Sequence, residues 1–344
     1  MINRGRLRLF AQDQAEYCTR AVDLVRQSTV IDMLGLVTLN FKKLWGWQAD
    51  PTSFRSSDLE KLKGSGITVF HPAVGYNSGD IYAASLKDIT GWNTFIAAHE
   101  SEFLRVDRAA DLERAKESGK IGILIGQQNS SHFRSVDDVD RFYNLGQRLS
   151  QLTYHQNRIG YGSSAARDGG LSDYGAQIVA RMNQVGMAAD ISHCGDRTTL
   201  DALEASRKPV LVTHSNCRAL ASHRRCKTDE AIRKMAAKGG VMGVTMVRSF
   251  VRDHGPTTVE HVLDHIDHIA RLAGIEHAGI GSDVDLDGRD NRIAKPKYDL
   301  DGMRYAKKIY DLTEGLVRRK YSDPDIELFL GGNFQRALIE ICDV

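Results

Sequence analysis

Residues 187–215 read MAADISHCGDRTTLDALEASRKPVLVTHS, and this stretch constrains the chain more than any other. It predicts a strand, a helix and a second strand, and each strand runs straight into a histidine, His193 and His214. A short apolar run feeding into His is the pattern expected when strands aim side chains out of one end of a parallel sheet. Two consecutive βα units that do the same thing favour a metal or acid/base site. The plainer alternative is two loop histidines that merely follow buried strands.

The rest of the chain repeats the alternation. Apolar runs at VIDML (30–34), ITVFHPAV (67–74), GKIGILIGQQN (119–129) and LSQLTYHQN (149–157) predict four strands before the stretch above supplies the fifth and sixth. GGVMGVTMV (239–247) and HAGIGSDVD (277–285) predict the seventh and eighth. Helical spacing is expected over 13–27, 80–104, 135–147, 171–186, 228–238, 257–273, 300–320 and 324–340. An aromatic-rich loop is expected over 35–58, long enough for a lid or a dimer contact. Eight strands alternating with helices predict an α/β fold of the (β/α)8 TIM-barrel type, with a doubly wound open sheet as the alternative. Polar residues cluster at most of the strand C-termini, where barrels carry their sites, and this favours the barrel. No linker, fixed-period repeat or low-complexity tract divides the chain, so 1–344 is expected to be one barrel domain with an N-terminal helix and C-terminal helices.

Charge narrows the function. The net charge is +2 from 46 basic and 44 acidic residues, which argues against a polyanion-binding surface and hence against nucleic acid as a partner. The five cysteines form no CxxC pair and are odd in number, which suits free thiols in a reducing, cytoplasmic setting. Cys194 and Cys217 adjoin the histidine-bearing strand ends, yet small buried residues are the commoner outcome for such cysteines. The opening MINRGRLRLF has no apolar core or cleavage site, and no run approaches ~20 apolar residues, so neither export nor a membrane span is expected.

The strand ends carry the candidate chemistry: Asp32 or Leu34, His71, Gln128, His155, His193, His214 and Asp283. Two imidazoles and a carboxylate converging at one barrel mouth suit zinc, which polarises a carbonyl and activates water. Asp283 then either ligates the metal or takes the proton from that water. His71 is expected to be a core or pocket histidine rather than a replacement ligand.

ISHCGDRTTLDALEASRKPVLVTHS, AGIGSDVDLDG, DGGLSDYG, LTYHQN and GGNFQRAL together resemble the membrane (renal-type) dipeptidase family, metallopeptidase family M19 of the amidohydrolase superfamily. The resemblance runs in order from Asp32 to Leu338. It implies a (β/α)8 barrel, usually a homodimer, that hydrolyses dipeptides with two zinc ions sharing a bridging glutamate. Position by position it implies that His193 and His214 hold one metal and that Asp283 serves the other metal and proton transfer. It further implies that His155 helps hold the tetrahedral intermediate and that Arg225 receives the substrate carboxylate, a task its forked donors suit.

The departures from the family are at the metal. Its first strand ends in a His-x-Asp pair, but here Leu34 and Leu36 stand at those positions. The bridging glutamate is matched by Gln128, a neutral amide and a weak ligand. The expectation is therefore a divergent dipeptidase-like metallohydrolase. It would retain at most one zinc ion, on His193 and His214 with help from Gln128, Asp283 or water, and would cleave a dipeptide or a similar small carboxylate-bearing amide. The alternatives are a metal-poor relative with lyase or isomerase chemistry, and a silent binding protein.

Overall fold

In the computed structural model, residues 5–7, 9, 16–75, 78–289 and 298–342 are described. Eight short parallel strands succeed one another round a barrel: Ile31–Asp32, Val69–Phe70, a third in two pieces (Ile121–Ile123 and Gly126–Gln127), Leu149–Gln151, Ala188–Asp190, Val212–Ser215, Met242–Val244 and Ala278–Ile280. The eighth pairs with the first at Ile280 and Asp32. Parallel bridges from Val74 to Gln127 and from Asp190 to Leu211 join the two arcs of the wall, so the barrel closes and the open sheet is excluded. Each strand is buried because helices cover its outer side, which is why the strands read as continuous apolar runs.

Four local expectations are corrected. The helix expected over 80–104 ends at Ala98, and Phe103–Arg105 is instead a strand parallel to Ile121–Ile123. Burial of Phe103 edge-on against Phe54 and Phe95 outweighs its helical spacing. The expected aromatic loop contains a helix, Phe41–Ala49, started by the Asn40 side chain accepting from Lys43 N and held by buried Leu44 and Trp47. The first helix begins only at Thr19, after Tyr17–Cys18 pairs antiparallel with Arg6–Leu7; positions 13–15 of that expectation lie outside the described residues. The last helical segment is broken by a π turn at Leu328–Gly332, where a side chain on Gly331 would meet the Thr29 carbonyl at 1.9 Å.

Beneath the mouth, a fully buried ion pair joins the helix Lys308–Arg318 to the first strand. Lys308 Nζ lies 3.2 Å from Asp32 Oδ2, both side chains being 0% exposed. It also donates to Ser282 Oγ at 2.7 Å and to Val284 O at 2.8 Å. Asp32 accepts from Ser282 N and Oγ at 2.9 and 2.5 Å, so the chain entering Asp283 is fixed from below. Among the described residues no helix is long and apolar enough to cross a membrane.

Candidate active site

The two histidines meet. Nε2 of His193 and Nε2 of His214 are 3.1 Å apart across the ends of the fifth and sixth strands. Below them Asp190 joins those strands: its carboxylate accepts from Ser192 N and Oγ and from Thr213 N and Oγ1. The Thr213 hydroxyl, having given its proton to Asp190, accepts from His214 Nδ1 at 2.8 Å. That order of donors leaves the lone pair of His214 on Nε2, facing His193, which is the tautomer a metal or a proton acceptor requires. Burial, with the nearby Arg225 charge, holds both imidazoles well below their ordinary protonation range, so both are neutral near pH 7.

Tyr154 stacks on this pair, and its neighbour His155 lies edge-on to the Tyr154 ring with centroids 5.0 Å apart. The Tyr154 ring stacks on His193 with centroids 4.1 Å apart and planes 23° from parallel. His155 is exposed, with Nδ1 2.8 Å from Ser164 Oγ. A side chain on Gly75 would meet the Tyr154 ring at 2.9 Å, and one on Gly162 would meet the Tyr154 carbonyl at 2.4 Å; both glycines make room for this placement. Burial raises the Tyr154 phenol above its ordinary value, and among the described residues its O–H has no protein acceptor.

Asp283 stands at the end of the eighth strand in a left-handed conformation, φ 55°, a strained backbone for a non-glycine residue. Burial raises its carboxyl above the ordinary value, while the charges of Arg289 and Arg225 partly restrain the shift. Arg289 Nη2 donates to Asp283 O at 3.0 Å and approaches Oδ1 at 3.5 Å. Arg225 is 3% exposed and donates to Ser192 O through Nη1 and to His214 O through Nη2.

The remaining candidates are elsewhere. Leu34 and Leu36 form an apolar cluster with Ala73. Gln128 turns its Nε2 onto Ala73 O at 2.9 Å. His71 is buried, with Nδ1 on Met33 O at 2.6 Å and Nε2 unpartnered. Cys194 and Cys217 are buried free thiols pushed upward by burial, Cys194 to about 11. Among the described residues no group of three or more His, Cys, Asp or Glu is arranged to hold a metal ion. A two-metal centre does not fit these residues. A single ion chelated by the two imidazoles does, because tetrahedral zinc at ~2.0–2.1 Å from each nitrogen sets neighbouring donors about 3.3 Å apart.

Comparison with known proteins decides the family. A model of the membrane dipeptidase family, peptidase family M19, matches residues 18–344. The chain belongs to that family. The dipeptidase verJ of Clonostachys rogersoniana is 30% identical over 265 residues, covering 76% of this chain and 66% of that protein. An uncharacterised dipeptidase of Schizosaccharomyces pombe, C965.12, is 33% identical over 210 residues, covering 58% of this chain and 50% of that protein. The matches thus span half to two-thirds of those relatives' own lengths. Among solved structures, an amidohydrolase from Pseudomonas aeruginosa is 29% identical with a TM-score of 0.82, covering 94% of this chain and 99% of that one. The M19 dipeptidase family on a TIM-type barrel is therefore the frame for the site.

Asp190, Tyr154 and Arg289 are the site residues that sequence reasoning missed. Asp190 had a signal, a carboxylate inside an apolar strand three residues before His193. Arg289 had none, since no sequence pattern shows the loop after the eighth strand folding it back onto Asp283.

Proposed function

We propose that this chain hydrolyses a small amide bearing a carboxylate, with dipeptides as the substrate class, at a site that binds at most one metal ion. The observation that carries the proposal is the His193–His214 pair, two neutral imidazoles 3.1 Å apart with one tautomer fixed through Thr213 and Asp190. A divalent ion held there supplies Lewis acidity toward the scissile carbonyl. Asp283, with its carboxyl raised by burial, is suited to accept a proton from water and pass it to the leaving nitrogen. Tyr154 offers a protonated phenol to the oxyanion, the part the family resemblance assigns to His155. The positive charge of Arg225 and Arg289 favours an anionic substrate.

The names of the relatives support the substrate class, and the lack of a third protein ligand among the described residues favours a second reading, a metal-free acid–base relative. Metal analysis separates them. Zinc at about one equivalent per chain, lost together with dipeptide hydrolysis in His193→Ala and His214→Ala, supports the first. A chain that takes up no zinc at micromolar concentrations and stays inactive on dipeptides sinks it. A homodimer is part of the same proposal through the family resemblance, and sedimentation tests it. The free thiols suit a cytoplasmic setting.

A further inference from the structure

His193 sits on a turn at the end of the fifth strand, closed by Cys194 N on Ile191 O at 3.1 Å. The three carbonyls of that turn all accept from other segments. Ser192 O takes Arg225 Nη1, His193 O takes Ser163 N at 2.6 Å, and Cys194 O takes Lys227 Nζ at 2.9 Å. Ser163 contributes only its main chain. Arg225 gives the strand ends two of its five N–H bonds, to Ser192 O and His214 O, and keeps three uncommitted.

Lys227 is the unusual donor. It is 2% exposed, and among the described residues no carboxylate lies within ion-pair distance of its ammonium. Its second acceptor is Thr199 Oγ1 at 3.0 Å, in the helix Asp196–Ala205. Thr199 Oγ1 in turn donates to Cys194 O at 3.4 Å, so the three groups close a ring. Burial lowers the ammonium to about 8. An ammonium held by neutral oxygens alone is costly to bury, and an apolar side chain of similar length would fill the space without that cost. What lysine adds is a donor aimed at the carbonyl next to His193. Its root is firm as well. Lys227 N donates to Asn216 O and Lys227 O accepts from Arg218 N, both at 2.8 Å, which pairs it with Cys217 just past the sixth strand. The side chain therefore runs from the continuation of the His214 strand to the turn that carries His193.

We infer that Lys227 is a positioning residue: it ties the His193 turn to the sixth strand and so sets the approach of the two imidazoles before any metal or substrate arrives. This goes beyond the proposed hydrolysis, and its test needs neither zinc nor a dipeptide, so the two can fail separately. The measurement is the imidazole 15N spectrum of the zinc-free full chain near neutral pH, with signals assigned through His193→Gln and His214→Gln. His99, on Pro51 O, and His277, on Gly240 O, serve as references away from the turn.

Lys227→Met keeps an apolar stem and deletes the donor. It moves the signals of His193, and of His214 in contact with it, further than those of His99 and His277. Lys227→Gln, whose amide stops one bond short of the lysine nitrogen, moves them in the same sense but less. Thr199→Val removes the ammonium's other acceptor, spares the bond to Cys194 O and leaves the His193 signals in place. Unmoved His193 signals in folded Lys227→Met overturn the inference, and where that variant does not fold, unmoved signals in Lys227→Gln do so. A displacement by Thr199→Val as large as that by Lys227→Met also overturns it, because the turn would then be held through the helix rather than by the lysine. A wild type that binds no zinc sinks the hydrolysis proposal and leaves this inference to stand on the imidazole signals.

Discussion

Replacing Lys308 with Met tests what secures the floor of the mouth. The side chain is 0% exposed, so the substitution keeps apolar volume and deletes one charge and two hydrogen bonds, to Ser282 Oγ and Val284 O. Asp32 keeps its donors from Ser282 N, Ser282 Oγ and Leu34 N but loses its counter-charge. Stranding a buried charge costs about 3–5 kcal/mol, and three remaining donors put the loss near the lower end, about 3 kcal/mol. With ~2.1 cal/mol/K of unfolding entropy per residue, the 344-residue chain has about 0.7 kcal/mol/K, so the melting temperature falls by about 4 °C. Calorimetry reads this directly. Asp32→Asn combined with Lys308→Met removes both charges, and Ser282 Oγ can turn toward Val284 O, 3.3 Å away, so most of the loss is recovered. A single variant that melts within a degree of the wild type, or a double variant no better than the single, refutes the reasoning.

Two further perturbations act elsewhere. His265 accepts from Cys217 N at Nδ1 and faces Val251 O with Nε2, and burial lowers its protonation from 6.5 to about 4. The unfolded chain therefore takes this proton first as pH falls, and stability drops by roughly 3 kcal/mol between pH 6.5 and 4, a slope that urea titrations of His265→Gln should flatten. An unchanged slope contradicts the assignment. Cys194, raised to about 11 and accepting from Thr153 Oγ1, is no thiolate near neutral pH, so Cys194→Ala should keep dipeptide hydrolysis. Loss of turnover in a folded variant would make the thiol a participant.

The barrel was legible because its signal is local. Each strand is a short apolar run that both the core and the helical cover bury, and burial on both faces leaves its mark in composition. What escaped depends on partners distant in sequence. Phe103 follows a helical pattern until Phe54 and Phe95 give it an edge-on packing site. Phe41–Ala49 has only a modest apolar stripe, and its helix rests on the Asn40 cap and on burying Trp47 against Phe54. The histidine pair was legible for the same local reason, since each imidazole ends its own strand. The stacking of Tyr154 on His193 was not, because it depends on how the bend after the fourth strand folds against the end of the fifth. Arg225 was reached only through the family resemblance and Arg289 not at all, since the bonds to Ser192, His214 and Asp283 that place them leave no mark in sequence spacing.

The same geometry bears on why a two-metal centre does not fit the described residues. Leu34 and Leu36, at the positions where the family resemblance implies a His-x-Asp pair, do more than lack donors; they pack with Ala73 into an apolar patch. Gln128, at the expected bridging position, is tied to the Ala73 carbonyl behind that patch. Asp32, the carboxylate just before the patch, already has its positive partner in Lys308. On the Asp283 side the cation is Arg289. Each feature a second ion would need, an open donor, a bridging charge or an unpaired carboxylate, is therefore occupied by a protein interaction. Restoring Leu34→His and Leu36→Asp alone would bury polar groups among apolar neighbours at a cost of several kcal/mol without freeing Gln128 or Asp32. The first half of the mouth is thus a packed wall, and the hydrolysis proposed above is left to Tyr154, the His193–His214 pair and Asp283.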